Sequence, residues 1–196
     1  MSLWRLRSIF RALDAEVVVF VRWRGGSLDH LLDARHAFLA ESTIQRLLSA
    51  GWSVQPEVSY SVFGERGSID LLAWHEASRT LLVIELKTEL TSIEETLRRH
   101  DSKVRLAPGI ARERFGWDPA VVARLLVLPE DRTARRRIEE HHATFRRVYP
   151  LANAAVKRWL SDPRGSMAGI LFLPDTNTAR ARRRIRPESS LVGPNR

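Results

Sequence analysis

The sequence predicts an α/β protein with one mixed β-sheet covered by helices on both faces, and three observations lead there. The elements run in the order helix, three strands, helix, strand, further helices and a short last strand, which a sheet between helical layers accommodates. The two strands flanking the turn at residues 76–79 are apolar on both sides, so they need cover on both sides. The chain has 196 residues, 44% hydrophobic and 28% charged, enough for one globular core and unlike a disordered or fibrous chain.

Taken in order, residues 4–13 read as a short helix and 16–23 as a strand closed by Gly25 and Gly26, together an attachment arm over 1–27. Residues 28–50 have helical periodicity, with Ala37, Ala40, Ile44, Leu47 and Leu48 on one face and Gly51 as the stop. Glu41 lies on the edge of that face. Strands are expected at 52–63, 68–75 and 80–87, separated by turn residues at 64–67 and 76–79. Ile93, Leu97 and Val104 mark an amphipathic helix over 92–107, which Pro108 and Gly109 should end. A strand at 121–128, helices at 133–148 and 151–160 and a short strand at 169–173 complete a domain spanning 28–173. Residues 174–196 carry Arg180, Arg182, Arg183, Arg184 and Arg186 among Pro, Ser and Asn and read as a basic, disordered tail.

Composition narrows the function classes. There is no cysteine, which excludes disulfides and thiolate zinc sites and fits a cytoplasmic protein. The apolar run 17–21 is far shorter than the roughly 20 residues that span a bilayer, so no membrane anchor is expected. The net charge of +9 points to a polyanionic partner, and it is uneven: residues 1–128 carry 17 Lys/Arg against 16 Asp/Glu, residues 129–196 carry 15 against 7. Only Lys87, Lys103 and Lys157 are lysines. There is no phosphate-binding glycine loop, dinucleotide fingerprint or nucleophile elbow.

The chemistry concentrates at one hairpin. If the turn at 76–79 sets His75 opposite Thr80, Asp70 faces Glu85, with Cβ atoms about 4.5 to 5.5 Å apart, where like charges repel. Alternation puts Lys87 on the same face, ~6 to 7 Å along the strand. Leu72, Trp74, Leu81 and Val83 share that face, and Ile69, Leu71, Leu82, Ile84 and Leu86 fall on the reverse. A divalent cation would relieve the repulsion, and Mg²⁺ commonly takes one or two carboxylates plus water and phosphate oxygens. Such an ion neutralises a scissile phosphate and acidifies a bound water, while Lys87 stabilises the transition state electrostatically. A plain salt bridge among the three residues is the alternative, and a one-residue register error would send Asp70 to the other face.

The segments Gly67-Ser68-Ile69-Asp70-Leu71-Leu72-Ala73 and Val83-Ile84-Glu85-Leu86-Lys87-Thr88, with their element order, resemble the core motif of the PD-(D/E)xK, or restriction-endonuclease-like, nuclease superfamily over roughly residues 28–128. The resemblance implies a restriction-endonuclease-like mixed sheet with an αβββαβ core and added C-terminal helices, and a Mg²⁺ (or Mn²⁺) ion held by Asp70, Glu85 and Leu86. It also implies Lys87 as catalytic lysine and Glu41 as a further acidic residue from the preceding helix. Ile69 stands where the motif's proline usually stands. Arg98, Arg99 and Lys103 occupy the helix where some subfamilies carry glutamine or tyrosine. A closer resemblance is to the C-terminal portion of bacterial helix-turn-helix regulators with a nuclease-like domain. It is carried by Trp23-Arg24-Gly25-Gly26, Leu31-Leu32-Asp33-Ala34-Arg35-His36-Ala37, Pro56-Glu57-Val58-Ser59-Tyr60, Gly64-Glu65-Arg66-Gly67-Ser68-Ile69-Asp70 and Lys103-Val104-Arg105-Leu106-Ala107-Pro108. Of the helix-turn-helix, only residues 4–13 would remain, as its last helix, so this resemblance implies either a stand-alone relative or a sequence that starts after the DNA-reading module.

The expected activity is therefore Mg²⁺-dependent hydrolysis of DNA phosphodiester bonds, the alternative a non-catalytic DNA-binding or transcription-regulatory module that keeps the nuclease architecture. Arg66, Arg98, Arg99, Lys103 and Arg105 are the candidate phosphate contacts. DNA is the expected partner, with RNA and a second copy of the chain as further options. The arginines at 135–137, 146 and 147 form either a phosphate-contacting face or a solvated one partly cancelled by Glu139 and Glu140. His75, His100, His141 and His142 lack ligand spacing, and Trp52, Trp74, Trp117 and Trp159 read as core aromatics.

Overall fold

The computed structural model describes residues 28–62 and 64–174. The arm expected at 1–27 and nearly all of the basic tail lie outside them. The fold described here belongs to the compact unit that begins at Arg35.

A six-stranded mixed sheet forms the centre, in the order β1-β2-β3-β4-β6-β5. Strands β1 (Ser53–Val62), β2 (Glu65–His75) and β3 (Thr80–Leu86) form an antiparallel meander. Strands β4 (Val121–Pro129), β6 (Ala168–Leu173) and the two-residue β5 (Leu151–Ala152) extend it in parallel from β3. The β2–β3 register runs from His75↔Thr80 to Leu71↔Ile84, as the turn chemistry predicts. Parallel pairing with β4 makes β3 central, and all seven of its residues are buried, consistent with its unbroken apolar run.

Helices cover both faces. Helix α1 (Leu28–Ser49) sets Leu39 and Leu47 on one face against Leu71, Ala73, Leu82, Ile84 and Leu125. On the other face, α2 (Ile93–Phe115) buries Leu106, Ala107, Ile110 and Ala111 against Leu72, Trp74, Leu81 and Val83. Helices α3 (Arg132–Glu140) and α4 (His142–Val148) place Ala134 and Phe145 over Leu126, Leu128 and Ile170, while α5 (Ala154–Ser161) adds Val156 and Leu160 to the α1 layer.

Several sequence expectations are corrected. The buried row of α1 is Leu39–Thr43–Leu47 flanked by Ala40 and Ile44, whereas Ala37 and Leu48 are exposed. Thr43 disguises the row, and its hydroxyl is satisfied by donating to the Leu39 carbonyl at 2.7 Å. Helix α2 does not stop at Pro108 but runs to Phe115, ending at Gly116 with φ 70°. A proline and a glycine cost about 4 kcal/mol inside a helix, and burying Ile110 and Ala111 and seating Phe115 on Trp117 is of comparable size. The helix expected over 133–148 is two, with a break at exposed His141 that no side chain caps. Residues 151–152 pair with β6 instead of opening a helix, and Asn153, at φ 39°, turns the chain there while its Oδ1 accepts from Phe172 N at 3.1 Å. Ile69 packs with Val58 and the α2 layer, not with Leu71. The β1–β2 ladder has no Glu57–Asp70 pair and Glu57 has φ 53°, so the pleat is interrupted at that point.

Gly169 in β6 shows how closely the layers approach, since a Cβ there would lie 2.5 Å from Val156 Cγ2 and 3.2 Å from the Leu151 carbonyl oxygen. Gly169→Ala is expected to destabilise the fold by about 1–3 kcal/mol in urea denaturation followed by tryptophan fluorescence. Unchanged stability would contradict this packing of α5 on β6.

Candidate functional site

The site forms where β2 and β3 part. Their paired register ends at Leu71↔Ile84, one step short of Asp70 and Glu85, while β3 stays paired with β4 through Leu86↔Val127. Leu86 N–H, on the β2 side, is left without a strand partner. The Asp70 carboxylate takes that role, with Oδ2 accepting at 2.8 Å. A side chain thus replaces a ladder bond, which keeps the backbone donor satisfied as the strands diverge.

Asp70 and Glu85 face one another across this opening, and a lysine ammonium lies between them. Lys103, from α2, donates from Nζ to Asp70 Oδ1 at 2.9 Å and to Glu85 Oε2 at 2.5 Å. Lys87 Nζ sits 3.0 Å from the other Glu85 oxygen, Oε1. Glu85 is only 1% exposed and Lys103 10%, whereas Lys87 is 30% exposed and reaches solvent. Burial alone would raise the Glu85 pKa, but Lys103 and then Lys87 outweigh it and hold the carboxyl below its ordinary range. Burial would likewise lower the Lys103 pKa, and Asp70 and Glu85 outweigh it and hold the ammonium above the ordinary lysine range. The cluster thus pairs two carboxyl side chains with two lysine side chains, equal in number.

These groups open onto a cleft of about 650 Å³, also lined by His36, Arg66, Ser68, Leu86, Arg98 and Arg99. Arg99 is paired with Glu95 at 2.6 Å, while Arg66 and Arg98 are exposed and have no ion-pair partner among the described residues. Arg105 is outside the lining and bound to Glu65 at 2.6 Å. Ser68 Oγ is buried without a hydrogen-bond partner, so the cleft wall holds one unspent hydroxyl.

Asp70, Glu85, Leu86 and Lys87 are thus brought together, with Arg66, Arg98, Arg99 and Lys103 around them. Glu41 is not among them. It lies two residues, or about 200°, from buried Leu39 on the helix, which turns it outward to a shallow depression with Phe38, Ser42 and Gln45. Among the described side chains of α1, it is His36 that lines the cleft. Sequence reasoning assigned Lys103 to phosphate contact and missed its place between the carboxylates. The available signal was its position in the helix row Thr96, His100, Lys103, Ala107, Ile110, all buried, where a charge needs an opposite charge nearby.

The donor chemistry fits a hard divalent ion. Two carboxylate oxygens already converge on a positive charge, the Lys103 ammonium, which stands in for a cation at that point. Among the described residues no group of three His, Asp or Glu side chains is positioned as a metal cluster, so the fit is to an ion that takes two carboxylates and completes its shell with main-chain oxygen and water. No helix of the described residues is long and apolar enough to cross a membrane. No protein-family model and no curated protein matches this chain.

Behind the cluster, His100 is completely buried, with Nδ1 2.7 Å from the Tyr149 hydroxyl and Nε2 3.2 Å from the Val83 carbonyl oxygen. Burial lowers its pKa from 6.5 to about 4, against the opposing pull of Glu85. The unfolded chain takes up this proton as pH falls through 6.5, while the folded protein refuses it until about 4. Stability from this residue is therefore present above pH 6.5 and lost between 6.5 and 4, by about 3 kcal/mol in all. Urea denaturation at pH 7 and pH 4 should show a smaller loss in His100→Gln than in the wild type by about that amount. Equal losses would contradict a neutral, buried His100.

Proposed function

We propose that this protein is a nuclease-like domain of the PD-(D/E)xK type, with a restriction-endonuclease-like sheet, that hydrolyses DNA phosphodiester bonds with a divalent cation. The observation that carries the reading is the convergence of Asp70 and Glu85 on one cationic point at the open end of a central hairpin, with Lys87 beside them. Asp70, Glu85 and the main-chain carbonyl of Leu86 would hold Mg²⁺ or Mn²⁺. When bound, the ion supplies charge neutralisation at the scissile phosphate and an acidified water.

The chain's own residues do the remaining work. Glu85 is fixed by a strand paired on its β4 side and by Lys87 at Oε1, so its geometry is set before substrate arrives. Lys87, which reaches solvent from beside Glu85, presents a positive charge to a phosphate oxygen as negative charge develops there. Arg66 and Arg98, without ion-pair partners among the described residues, are the wall groups that meet flanking phosphates, with Arg99 available by exchange from Glu95. Arg105, engaged with Glu65 outside the lining, contributes less directly. Glu41 has no part in the reading.

A second reading draws on the same cluster. Because Lys103 and Lys87 already neutralise Asp70 and Glu85, the domain would also serve as a non-catalytic DNA-binding or regulatory module that keeps the architecture. DNA bound in Mg²⁺ without being cut favours this alternative.

Two measurements test the proposal. With plasmid, nicked and branched DNA, and RNA in parallel, Glu85→Gln and Lys87→Ala should each lower Mg²⁺-dependent cleavage by about 10²-fold or more, and Glu41→Gln should leave it unchanged. Cleavage undiminished in Glu85→Gln removes the mechanism. For binding, Arg66→Ala combined with Arg98→Ala should weaken DNA affinity regardless of sequence and reduce the salt dependence of log K by about 2. An unchanged slope would mean that phosphates do not track this wall.

A further inference from the structure

The site holds a cation of its own chain between its two carboxylates, and that cation has somewhere else to go. Lys103 Nζ contacts both carboxylates from the end of a flexible four-carbon stem rooted in α2. The same stretch of α2 lines the cleft with Arg98, Arg99 and Ser102, so a lysine that leaves the carboxylates remains within that wall. Asp70 is further tied to Leu86 N–H and Glu85 to Lys87, so neither carboxylate depends on Lys103 alone for its orientation.

We propose that Lys103 is an exchangeable internal counter-ion: it bridges Asp70 and Glu85 while no divalent cation is bound, and a divalent cation binds by displacing its ammonium from between them. This rests on the metal-dependent reading above and adds to it how the site is kept when empty and how loading alters the cleft. The charge arithmetic gives the consequence. In the closed cluster two carboxylates and two lysines cancel. Exchange of one ammonium for a doubly charged ion leaves the centre with one positive charge in excess, and the released ammonium adds a second along the wall. Loading therefore turns a balanced centre into one that attracts phosphate, which couples ion binding to polyanion binding. A purely structural Lys103 would instead stay in place whatever ion is added.

The three lysines of the chain make this directly observable. With ¹⁵N-lysine-labelled full-length protein in EDTA, the ammonium of Lys103, buried and bonded to two carboxylates, should give a resonance protected from exchange, which Lys103→Met identifies by its absence. Addition of MgCl₂ or MnCl₂, followed by calorimetry on the same protein, should saturate a binding heat, and titration with diamagnetic Mg²⁺ should remove the protected resonance in step with that heat. Lys103→Met should bind Mg²⁺ at least 10-fold more tightly than the wild type, and Glu85→Gln should lose the heat. If Mg²⁺ binds while the Lys103 resonance persists, the exchange is wrong and the metal-dependent reading stands. Equal or weaker ion affinity in a folded Lys103→Met has the same meaning, and if that variant does not fold, the wild-type spectrum decides alone. If neither ion gives a heat with the wild type or with Lys103→Met, the metal-dependent reading fails and the exchange fails with it.

Discussion

A carboxylate that is almost wholly buried on a central strand needs a positive charge brought to it, and this need organises the region around Glu85. Removing an ion from water costs several kcal/mol even after relaxation, so Glu85 cannot stay ionised there on its own. Lys103 and Lys87 supply the compensation from two directions, one from the helix above and one from the end of the same strand. The first of these fixes more than a charge. For Lys103 to reach both Asp70 and Glu85, α2 must dock with its row of buried residues over β2 and β3, and the apolar half of that row, Ala107 and Ile110, supplies the docking energy. The polar half, His100 and Lys103, is tolerated because each has specific partners: Tyr149 and Val83 for the histidine, the two carboxylates for the lysine.

The parting of β2 from β3 makes this ion cluster accessible. Had the ladder continued, Leu86 N–H would have been taken by the β2 backbone and Asp70 would have been one more side chain on a closed sheet. Instead β3 is held by β4 on one side through Leu86↔Val127 and Lys87 N–H, which donates to the Val127 carbonyl at 3.0 Å, and is open on the other. One side gives rigidity, the other access. The Asp70 carboxylate links the two, with one oxygen on the main chain and the other on Lys103.

The register of the hairpin was legible in the sequence as far as Leu71↔Ile84, because a tight turn fixes pairing, but the expected direct pairing of Asp70 with Glu85 was not, since β2 leaves β3 one step earlier and Asp70 bonds Leu86 N–H instead. The sheet with helices on both sides was legible too, from strands apolar on both faces. The phase of α1 was not, since Thr43 lies in its buried row with its hydroxyl bonded within the helix, and Ala37 and Leu48 imitate a neighbouring stripe. Glu41 entered the site through the resemblance alone, and its exposed place on the helix, two residues from buried Leu39, turns it away. The extension of α2 past Pro108 was hidden because local propensity argues against it and only tertiary burial of Ile110, Ala111 and Phe115 argues for it. The place of Lys103 was hidden for a related reason: on the sequence it is one basic residue near Arg98, Arg99 and Arg105, and its burial follows from the docking of α2.

The choice of lysine over arginine carries the last part of the argument. All but three basic residues are arginine, and two of the three lysines meet at Glu85. An arginine prefers a bidentate, planar match to a single carboxylate and keeps five donors to satisfy, whereas an ammonium is a compact point charge with three rotatable donors. Between two carboxylates on adjacent strands, the ammonium can place one donor on each oxygen and still fit under the helix. The outer arginines, by contrast, lie in solvent against single partners such as Glu95, Glu65 and Glu130, where a planar fork suits the geometry and a salt bridge contributes little to stability. At the surface, arginines such as Arg99, Arg105 and Arg135 meet single carboxylates, and at the one point among the described ion pairs where a cation meets both Asp70 and Glu85 it is the compact ammonium of Lys103.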